Sequence, residues 1–198
     1  IVGVSSAPLV GIAKEFALFD LPFLFANEKE VDAVVDGPVG AHLFERLQSK
    51  NLIGLCFWEN GFRHVTNSKR PIVKPEDLKG LKIRTMQNPV YVEAFNSLGA
   101  NAVPMAWPEV YAALETKAID AQENPFAIVS TNKINEVQKY LSVTKHAYSP
   151  YAVMVGSKLW DKLTPAERTI LKDSCIEARD YQRKMNREED ARTATELR

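Results

Sequence analysis

Histidine, cysteine and excess charge are what this 198-residue sequence has least of. It contains three histidines (His42, His64 and His146) and two cysteines, Cys56 and Cys175, none of them at the spacing of metal ligands. Lys plus Arg and Asp plus Glu both number 25, so the formal net charge is zero. We therefore expect no metal, no cofactor and no nucleic-acid partner that recognises overall charge.

Sequence motifs of common catalytic centres are also missing. There is no glycine-rich phosphate loop, no G-x-S-x-G and no H-E-x-x-H. Ser5 and Ser6 have no base near them in sequence, although a catalytic triad can be assembled from distant residues. The sequence therefore favours a protein that is not an enzyme and has no catalytic residues.

Long apolar runs are absent as well. No run reaches the length of about 20 residues that a membrane-spanning helix needs, so we expect no direct membrane insertion. Ile1 begins directly on an apolar stretch, with no charged leader and no start methionine. This start predicts a piece of a longer protein, and it leaves the compartment undefined.

The two cysteines lie in apolar contexts, Leu-Cys-Phe and Ser-Cys-Ile. We interpret Cys56 and Cys175 as small buried residues, because cysteine is among the residue types most often buried. A disulfide between them is the alternative, and only geometry decides it.

Short apolar strands alternate with helices that begin with proline. The strands are predicted at 52–58, 62–66, 81–84, 101–104, 118–121 and 151–155, and proline-started helices at Pro89, Pro108 and Pro125. This alternation predicts α/β structure with a mostly parallel sheet. The first 25 residues predict a short helix and a turn, and residues 28–50 predict two helices separated at Gly37-Pro38. A capping box at 164–167 predicts the start of a long, solvated, charged helix.

Arg84 stands at the end of a predicted strand, immediately before a helix that Asn88 and Pro89 begin. Ligands of open α/β sheets bind beyond the carboxyl ends of the strands. An arginine there can hold a carboxylate with two parallel hydrogen bonds, and the helix N-terminus favours an anion. The alternative is an arginine paired with a surface Asp or Glu.

Three further residues have both a binding and a structural interpretation. Arg63 is either a second positive group of the site or a member of an ion pair at its rim. Asn124 either contacts a ligand or caps the helix that follows it. Trp107 is either an apolar wall of the site or a packing residue.

Several segments together resemble the substrate-binding proteins of tripartite (TRAP) transporters, the DctP family. They are 19–25 (FDLPFLF), 58–63 (WENGFR), 77–84 (DLKGLKIR), 104–111 (PMAWPEVY) and 120–125 (DAQENP). Their order and combination are specific, and the resemblance covers essentially the whole chain.

This resemblance implies a two-lobed, periplasmic-binding-protein-like (Venus-flytrap) α/β fold that closes on its ligand, here truncated at both ends. Residues 1–62 and 150–198 would form lobe I, and residues 63–149 would form lobe II. The family's carboxylate-binding arginine matches Arg84. Besides Arg84, the resemblance implies five further residues that contact the ligand: Arg63, Asn124, Trp107, Gln87 and His146. It implies a structural role for Glu123.

The function that the resemblance implies is capture of a small organic carboxylate in the periplasm and its delivery to TRAP membrane subunits. A C4-dicarboxylate is the first choice, because two arginines suit two acidic groups. A ligand-sensing module of the same fold is one alternative, and a hydrolase or lyase on an unrelated α/β fold is another.

Overall fold

A computed structural model describes residues 1–196. Its strands are β1 (Val2–Ser5), β2 (Leu52–Asn67), β3 (Lys82–Thr85), β4 (Asn101–Pro104), β5 (Ala121–Asn124) and β6 (Tyr140–Gly156). Its α-helices are α1 (Glu28–Val35), α2 (Pro38–Gln48), α3 (Pro89–Ser97), α4 (Trp107–Glu115), α5 (Phe126–Thr131), α6 (Ile134–Val137), α7 (Ser157–Trp160) and α8 (Pro165–Glu196). Short 3-10 helices cover Ala7–Gly11, Lys14–Asp20 and Pro75–Leu78. No helix in the described range is both long and apolar enough to cross a membrane.

The chain divides into two compact units. Unit 1 contains Ile1–Phe19, Phe23–Gly61 and Tyr148–Glu188. Unit 2 contains Asp20–Pro22, Phe62–Ala147 and the chain from Glu189 on.

The sheet is mixed and not mostly parallel, which corrects the prediction made from the sequence. The hydrogen-bonded strand order is β1-β6-β2-β5-β3-β4. β3 pairs in parallel with β4 and β5, whereas β2 pairs with β5 and β1 with β6 in antiparallel fashion. The parallel part comes from the βα units predicted between residues 81 and 125, and the antiparallel part involves the long strands that these units do not include.

Several strand boundaries were predicted wrongly. The strands expected at 52–58 and 62–66 form one strand of 16 residues, because Gly61 adopts a φ of 120° within an extended chain and makes no reversing turn. The last strand begins at Tyr140 and not at Tyr151, and β5 lies three residues later than predicted. The first 25 residues hold β1 and two 3-10 helices where a short helix was expected.

The helix starts were predicted better. Asn88 accepts a hydrogen bond from the backbone N–H of Val90 at 2.8 Å, and α3 begins at Pro89 as expected. The break at Gly37-Pro38 separates α1 from α2. Thr164 and Glu167 exchange hydrogen bonds at the start of α8, which confirms the capping box.

Unit 1 contains a disulfide bond between β2 and α8. Cys56 and Cys175 have Cα atoms 6.1 Å apart and are bonded to each other, so the disulfide that the sequence left open as an alternative is present. Both lie in an apolar cluster with Leu55, Val153 and Val155. The two side chains were correctly expected to be buried, but their contact joins residues 119 positions apart.

Partly buried ion pairs join helix α8 to the rest of unit 1, so its charges are not only a solvated face. Arg183 is 6% exposed and bonds the carboxylate of Asp36 through both Nη atoms. Arg187 bonds Asp32 and Glu59, at 2.8 Å and 2.7 Å. These contacts join α8 to α1 and β2.

Unit 2 is built around the short strands β3, β4 and β5. Ile83 pairs with Ala102 on one side and with Ala121 on the other. A second apolar cluster lies under α4 and α5, formed by Val110, Leu114, Ile119, Val129 and Ile134. The candidate residue Arg84 lies on β3, one residue before its end, and Trp107 packs against this apolar cluster.

Candidate functional site

Arg84 is a buried arginine without a carboxylate partner. It is 3% exposed, and its Nε and Nη2 atoms donate to the carbonyl oxygen of Met105 at 3.0 Å and 2.8 Å. Among residues 1–196, no Asp or Glu oxygen lies within 4 Å of its guanidinium, so the surface ion pair weighed from the sequence does not form. Burial lowers the pKa of Arg84 to about 10; Glu123 opposes this effect and Arg63 adds to it.

Trp107 supports the Arg84 guanidinium. It is the first residue of α4, it is half-buried, and its ring centroid lies 5.5 Å from Cζ of Arg84. A cation over an aromatic face is held there electrostatically, and the contact strengthens when water is excluded. The structure therefore brings Arg84 and Trp107 together in one buried cationic site.

Arg63 is fully buried and engaged by Glu123. Its Nε donates to Glu123 Oε2 at 2.5 Å, and its Nη2 donates to Glu123 Oε1 and to the Glu123 carbonyl oxygen. An ion pair at the rim of the site was one of the two alternatives for Arg63, but the pair lies in the interior. Antiparallel pairing explains the contact, because Val65 is opposite Glu123 and Arg63 follows the same face two residues away.

His146 completes this buried network from β6. Its Nε2 lies 3.1 Å from Glu123 Oε2, and its Nδ1 lies 2.8 Å from the Thr144 hydroxyl. Burial alone would raise the pKa of Glu123, but the charge and hydrogen bonds of Arg63 and the hydrogen bond of His146 lower it to about 2. Glu123 is therefore a carboxylate at neutral pH, and it compensates the charge of Arg63.

Asn124 belongs to the same network and does not cap a helix. It is the last residue of β5, and Pro125 occupies the cap position of α5. Its Oδ1 accepts from Arg63 Nη2 at 3.0 Å, and its Nδ2 donates to Gln122 at 2.6 Å. The capping alternative was wrong because β5 lies three residues further along the chain than predicted.

Gln87 stands apart from both groups. It is exposed and lies between the end of β3 and Asn88. The six predicted contacts thus fall into a pair formed by Arg84 and Trp107, a network that includes Arg63, Asn124 and His146, and an exposed Gln87. That any of them contacts a ligand stays a prediction.

A buried carboxyl group near this network was not singled out from the sequence. Asp20 is 2% exposed, and its Oδ2 accepts from Asn88 Nδ2 at 2.7 Å. Burial raises the pKa of Asp20 from 3.8 to about 7, against the hydrogen bond from Asn88 and the charge of Arg63. The segment 19–25 gives no local signal that its aspartate would be buried.

His64 is a neutral neighbour of the network. Its ring stacks on Phe126 with centroids 4.1 Å apart, and its Nδ1 accepts from the Lys145 backbone N–H. Burial lowers the pKa of His64 to about 3, and the nearby His146, Lys145 and Arg63 act in the same direction. Within residues 1–196, no cluster of His, Cys, Asp and Glu side chains has the arrangement of a metal site.

Comparison with known families gives one match over the whole chain. The family described as bacterial extracellular solute-binding protein, family 7 (DctP) matches residues 1–198. The match covers both units and every residue of the two groups described above.

Curated relatives carry names that refer to organic acids. The chain is 47% identical over 175 residues to the 2,3-diketo-L-gulonate-binding periplasmic protein YiaO of Escherichia coli K12, covering 88% of this chain and 53% of that protein. It is 38% identical over 177 residues to the C4-dicarboxylate-binding periplasmic protein DctP of Rhodobacter capsulatus, covering 89% of this chain and 53% of that protein. Both relatives are binding proteins by name.

A solved structure matches the fold closely. It is the sugar acid binding protein DctPAm of Advenella mimigardefordensis in complex with galactonate, with a TM-score of 0.97 and 44% identity. The match covers 98% of this chain and 63% of that one, so the chain spans about three-fifths of the solved relative. The expected two-lobed, periplasmic-binding-protein-like α/β fold is thereby confirmed.

Proposed function

Because this chain belongs to the DctP family of bacterial extracellular solute-binding proteins, family 7, we propose that it binds a small organic acid whose carboxylate is held by Arg84. We further propose that it acts in the periplasm and delivers the acid to the membrane subunits of a TRAP transporter. Relatives in this family are binding proteins and not enzymes by name, and the proposal assigns this chain no catalytic step.

The buried, uncompensated charge of Arg84 carries the proposal. Protein interiors rarely hold a guanidinium that meets no carboxylate, because removing the charge from water is unfavourable. An acid ligand would supply the missing anion and reverse the effect that lowers the pKa of Arg84. With Nε and Nη2 bound to Met105, the remaining N–H groups of the guanidinium are the donors for that anion.

Trp107 gives the bound acid an apolar wall. Its ring centroid lies 5.5 Å from Cζ of Arg84, the group that we propose holds the carboxylate. A half-buried indole beside a cationic group suits a ligand with one charged end and a less polar body. We propose that Trp107 keeps the Arg84 guanidinium oriented and limits the shape of the ligand.

Two classes of acid are candidates. A C4-dicarboxylate, the first choice from two arginines, would need a second uncompensated cation. Glu123 compensates the charge of Arg63, so among the described residues Arg84 is the one of these two arginines without a carboxylate partner. We therefore place a hydroxylated monocarboxylate first, in line with the relatives named for diketogulonate and galactonate, and a C4-dicarboxylate second.

A thermal-shift panel tests this function. The unfolding temperature of the chain is measured with galactonate, 2,3-diketo-L-gulonate, succinate, malate and butanoate. The control for each acid is a chloride solution of the same ionic strength. An acid present at about one hundred times its Kd should add roughly 2.7 kcal/mol of stability. We expect hydroxylated monocarboxylates to raise the unfolding temperature most.

Arg84→Met and Arg70→Met are the matched variants. Arg70 is an exposed arginine of unit 2 whose guanidinium, like that of Arg84, donates to backbone carbonyl oxygens, here those of Asp77 and Lys79. We expect Arg84→Met to remove the shift and Arg70→Met to retain it. If no acid raises the unfolding temperature of either the 198-residue chain or the full-length product of its gene, the proposal is wrong.

A further inference from the structure

Four buried polar atoms of unit 2 have no hydrogen-bond partner among the described residues. One is Nδ2 of Asn67, and the other three are Nη1 of Arg63, Oγ1 of Thr85 and Oη of Tyr91. The side chains of Arg63, Thr85 and Tyr91 are almost completely enclosed, at 0%, 0% and 2% exposed. Buried polar groups in folded proteins are nearly always paired, so unpaired groups that lie close together call for an explanation.

The strand register places two of these atoms on one face of the sheet. Ile83 pairs in parallel with Ala121, so Thr85 is level with Glu123 two residues further along. Glu123 faces Arg63, which it binds directly. Thr85 therefore shares a face with the Arg63–Glu123 pair.

Tyr91 reaches the same region from the first turn of α3. The Cζ atom of Arg63 lies 5.8 Å from the centroid of the Tyr91 ring. The charges of Arg63, Glu123 and Asp20 all act on the pKa of the Tyr91 hydroxyl, so these groups lie near it. The unpaired atoms of Arg63, Thr85 and Tyr91 thus belong to one polar cluster.

This cluster begins at the strand end that carries Arg84. Arg84 and Thr85 are consecutive residues of β3, so their side chains leave the strand on opposite faces. A ligand lying beyond the carboxyl end of β3 can contact both faces at once. A carboxylate at Arg84 would then place the next oxygen atoms of the same ligand toward Thr85 and Tyr91.

The charge around the cluster selects a neutral oxygen. Arg63 is compensated by Glu123, and Asp20 supplies a second carboxyl group nearby. Burial raises the pKa of the Tyr91 hydroxyl well above 10, so it stays neutral and offers one donor and one acceptor. A second carboxylate would meet no free positive charge here, whereas a hydroxyl group can both donate and accept.

We propose that Thr85, Tyr91 and the Nη1 atom of Arg63 form a subsite for a hydroxyl group of the acid, and that Tyr91 sets the preference for hydroxylated over unsubstituted acids. This inference rests on the proposed function, because the carboxylate at Arg84 is what brings the hydroxyl group to the subsite.

Tyr91→Phe is the direct test, because it removes one oxygen atom and keeps the ring. Calorimetric titrations with D-erythronate, butanoate and succinate compare four-carbon acids with hydroxyl groups, without them and with a second carboxylate. We expect the variant to bind D-erythronate about fivefold to tenfold more weakly than the parent and butanoate equally well. The unfolding temperature of the ligand-free variant should equal or exceed that of the parent, because a buried hydroxyl without a partner is removed.

Tyr140→Phe is the matched control. Tyr140 also lies beneath a cation, Lys139, at 5.4 Å, but it is half-buried on β6 and outside the cluster. We expect this control to bind both acids as the parent does. Thr85→Val should repeat the selective loss of D-erythronate affinity seen with Tyr91→Phe.

Three results would overturn the subsite. One is a Tyr91→Phe variant with an unchanged ratio of D-erythronate to butanoate affinity. Another is a parent chain that prefers succinate to D-erythronate. The third is a less stable ligand-free Tyr91→Phe variant with unaltered selectivity, which would assign the hydroxyl to an internal water. If Arg84→Met abolishes acid binding but Tyr91→Phe leaves the selectivity unchanged, the subsite is wrong and the proposed function stands. If the parent binds no acid, the proposed function is wrong as well.

Discussion

Arg63 and Arg84 are both buried in unit 2, but only Arg63 is paired with a carboxylate. Nε of Arg63 lies 2.5 Å from Glu123 Oε2, whereas the guanidinium of Arg84 meets the carbonyl oxygen of Met105 and the face of Trp107. Glu123 therefore compensates the charge of Arg63, whereas no carboxylate among the described residues pairs with Arg84. This contrast makes the two arginines separable by experiment.

Replacing each arginine by methionine should have opposite effects on the ligand-free protein. Arg84→Met removes a desolvated charge and keeps an apolar stem against Trp107, so the free energy of unfolding at pH 7 should be unchanged or higher by about 1–3 kcal/mol. Arg63→Met leaves Glu123 buried without its partner and should lower the free energy of unfolding by about 3–5 kcal/mol. Urea denaturation measures both values. A loss as large in Arg84→Met as in Arg63→Met would contradict the assignment.

Removing the charge of Glu123 should strongly destabilise the protein, and a second substitution at Arg63 should restore most of the stability. Glu123→Gln leaves the guanidinium of Arg63 buried and uncompensated, and we expect a loss of about 3–5 kcal/mol in the free energy of unfolding. The double variant Arg63→Met, Glu123→Leu replaces the pair by apolar groups and should recover most of that loss. If the loss in this double variant equals the sum of the losses in Arg63→Met and Glu123→Leu measured singly, the two residues do not interact.

Asp20→Asn should change how stability depends on pH. In the unfolded chain this carboxyl ionises near its ordinary pKa of 3.8, but in the folded chain its pKa is about 7. Between these values the folded state binds more protons, so this group makes the fold less stable as pH rises through the window and adds no further change above pH 7.

The amide of Asp20→Asn can still accept from Asn88 but cannot ionise. We expect the advantage of the variant over the parent to grow by about 2–3 kcal/mol between pH 5 and pH 8, as measured by urea denaturation. Contributions from His64 and Glu123 cancel in this comparison, because both proteins contain them. An advantage that stays constant with pH would place the ionisation of Asp20 outside this range.

Reduction of the Cys56–Cys175 disulfide should destabilise unit 1. The bond closes a loop between residues 119 positions apart, and a loop of that length restricts the unfolded chain by about 3–5 kcal/mol. The expected result is a lower urea midpoint in the presence of a reductant. The double variant Cys56→Ser, Cys175→Ser should be equally unstable with and without reductant. A parent protein that reductant does not affect would contradict the account.

Local signals in the sequence predicted the helix starts, because a cap needs only residues a few positions apart. Asn88 with Pro89, Gly37 with Pro38, and the capping box at 164–167 all begin helices as expected. The strand of 16 residues at β2 was missed for the opposite reason. Gly61 resembles a turn locally, but pairing with distant strands keeps the chain extended.

The polar part of the site was predictable only as a set of residue types. Position at a strand end, together with the family resemblance, singles out Arg84 from the sequence alone. The ion pair of Arg63 joins residues 60 positions apart, so no local pattern reports that Glu123 would take up its charge. No local pattern in the sequence marks Tyr91 or Thr85 as a site residue, because an unpaired buried hydroxyl is a property of the packed fold.

The central claim is that Arg84 recognises the carboxylate of a small organic acid. It is tested most directly by titrating the parent chain and Arg84→Met with the tightest acid of the panel and with its neutral amide. We expect the parent to bind the acid at least about a hundredfold more tightly than the amide, and Arg84→Met to bind both equally weakly. A parent that binds acid and amide alike, or an Arg84→Met variant that still prefers the acid, would contradict the assignment.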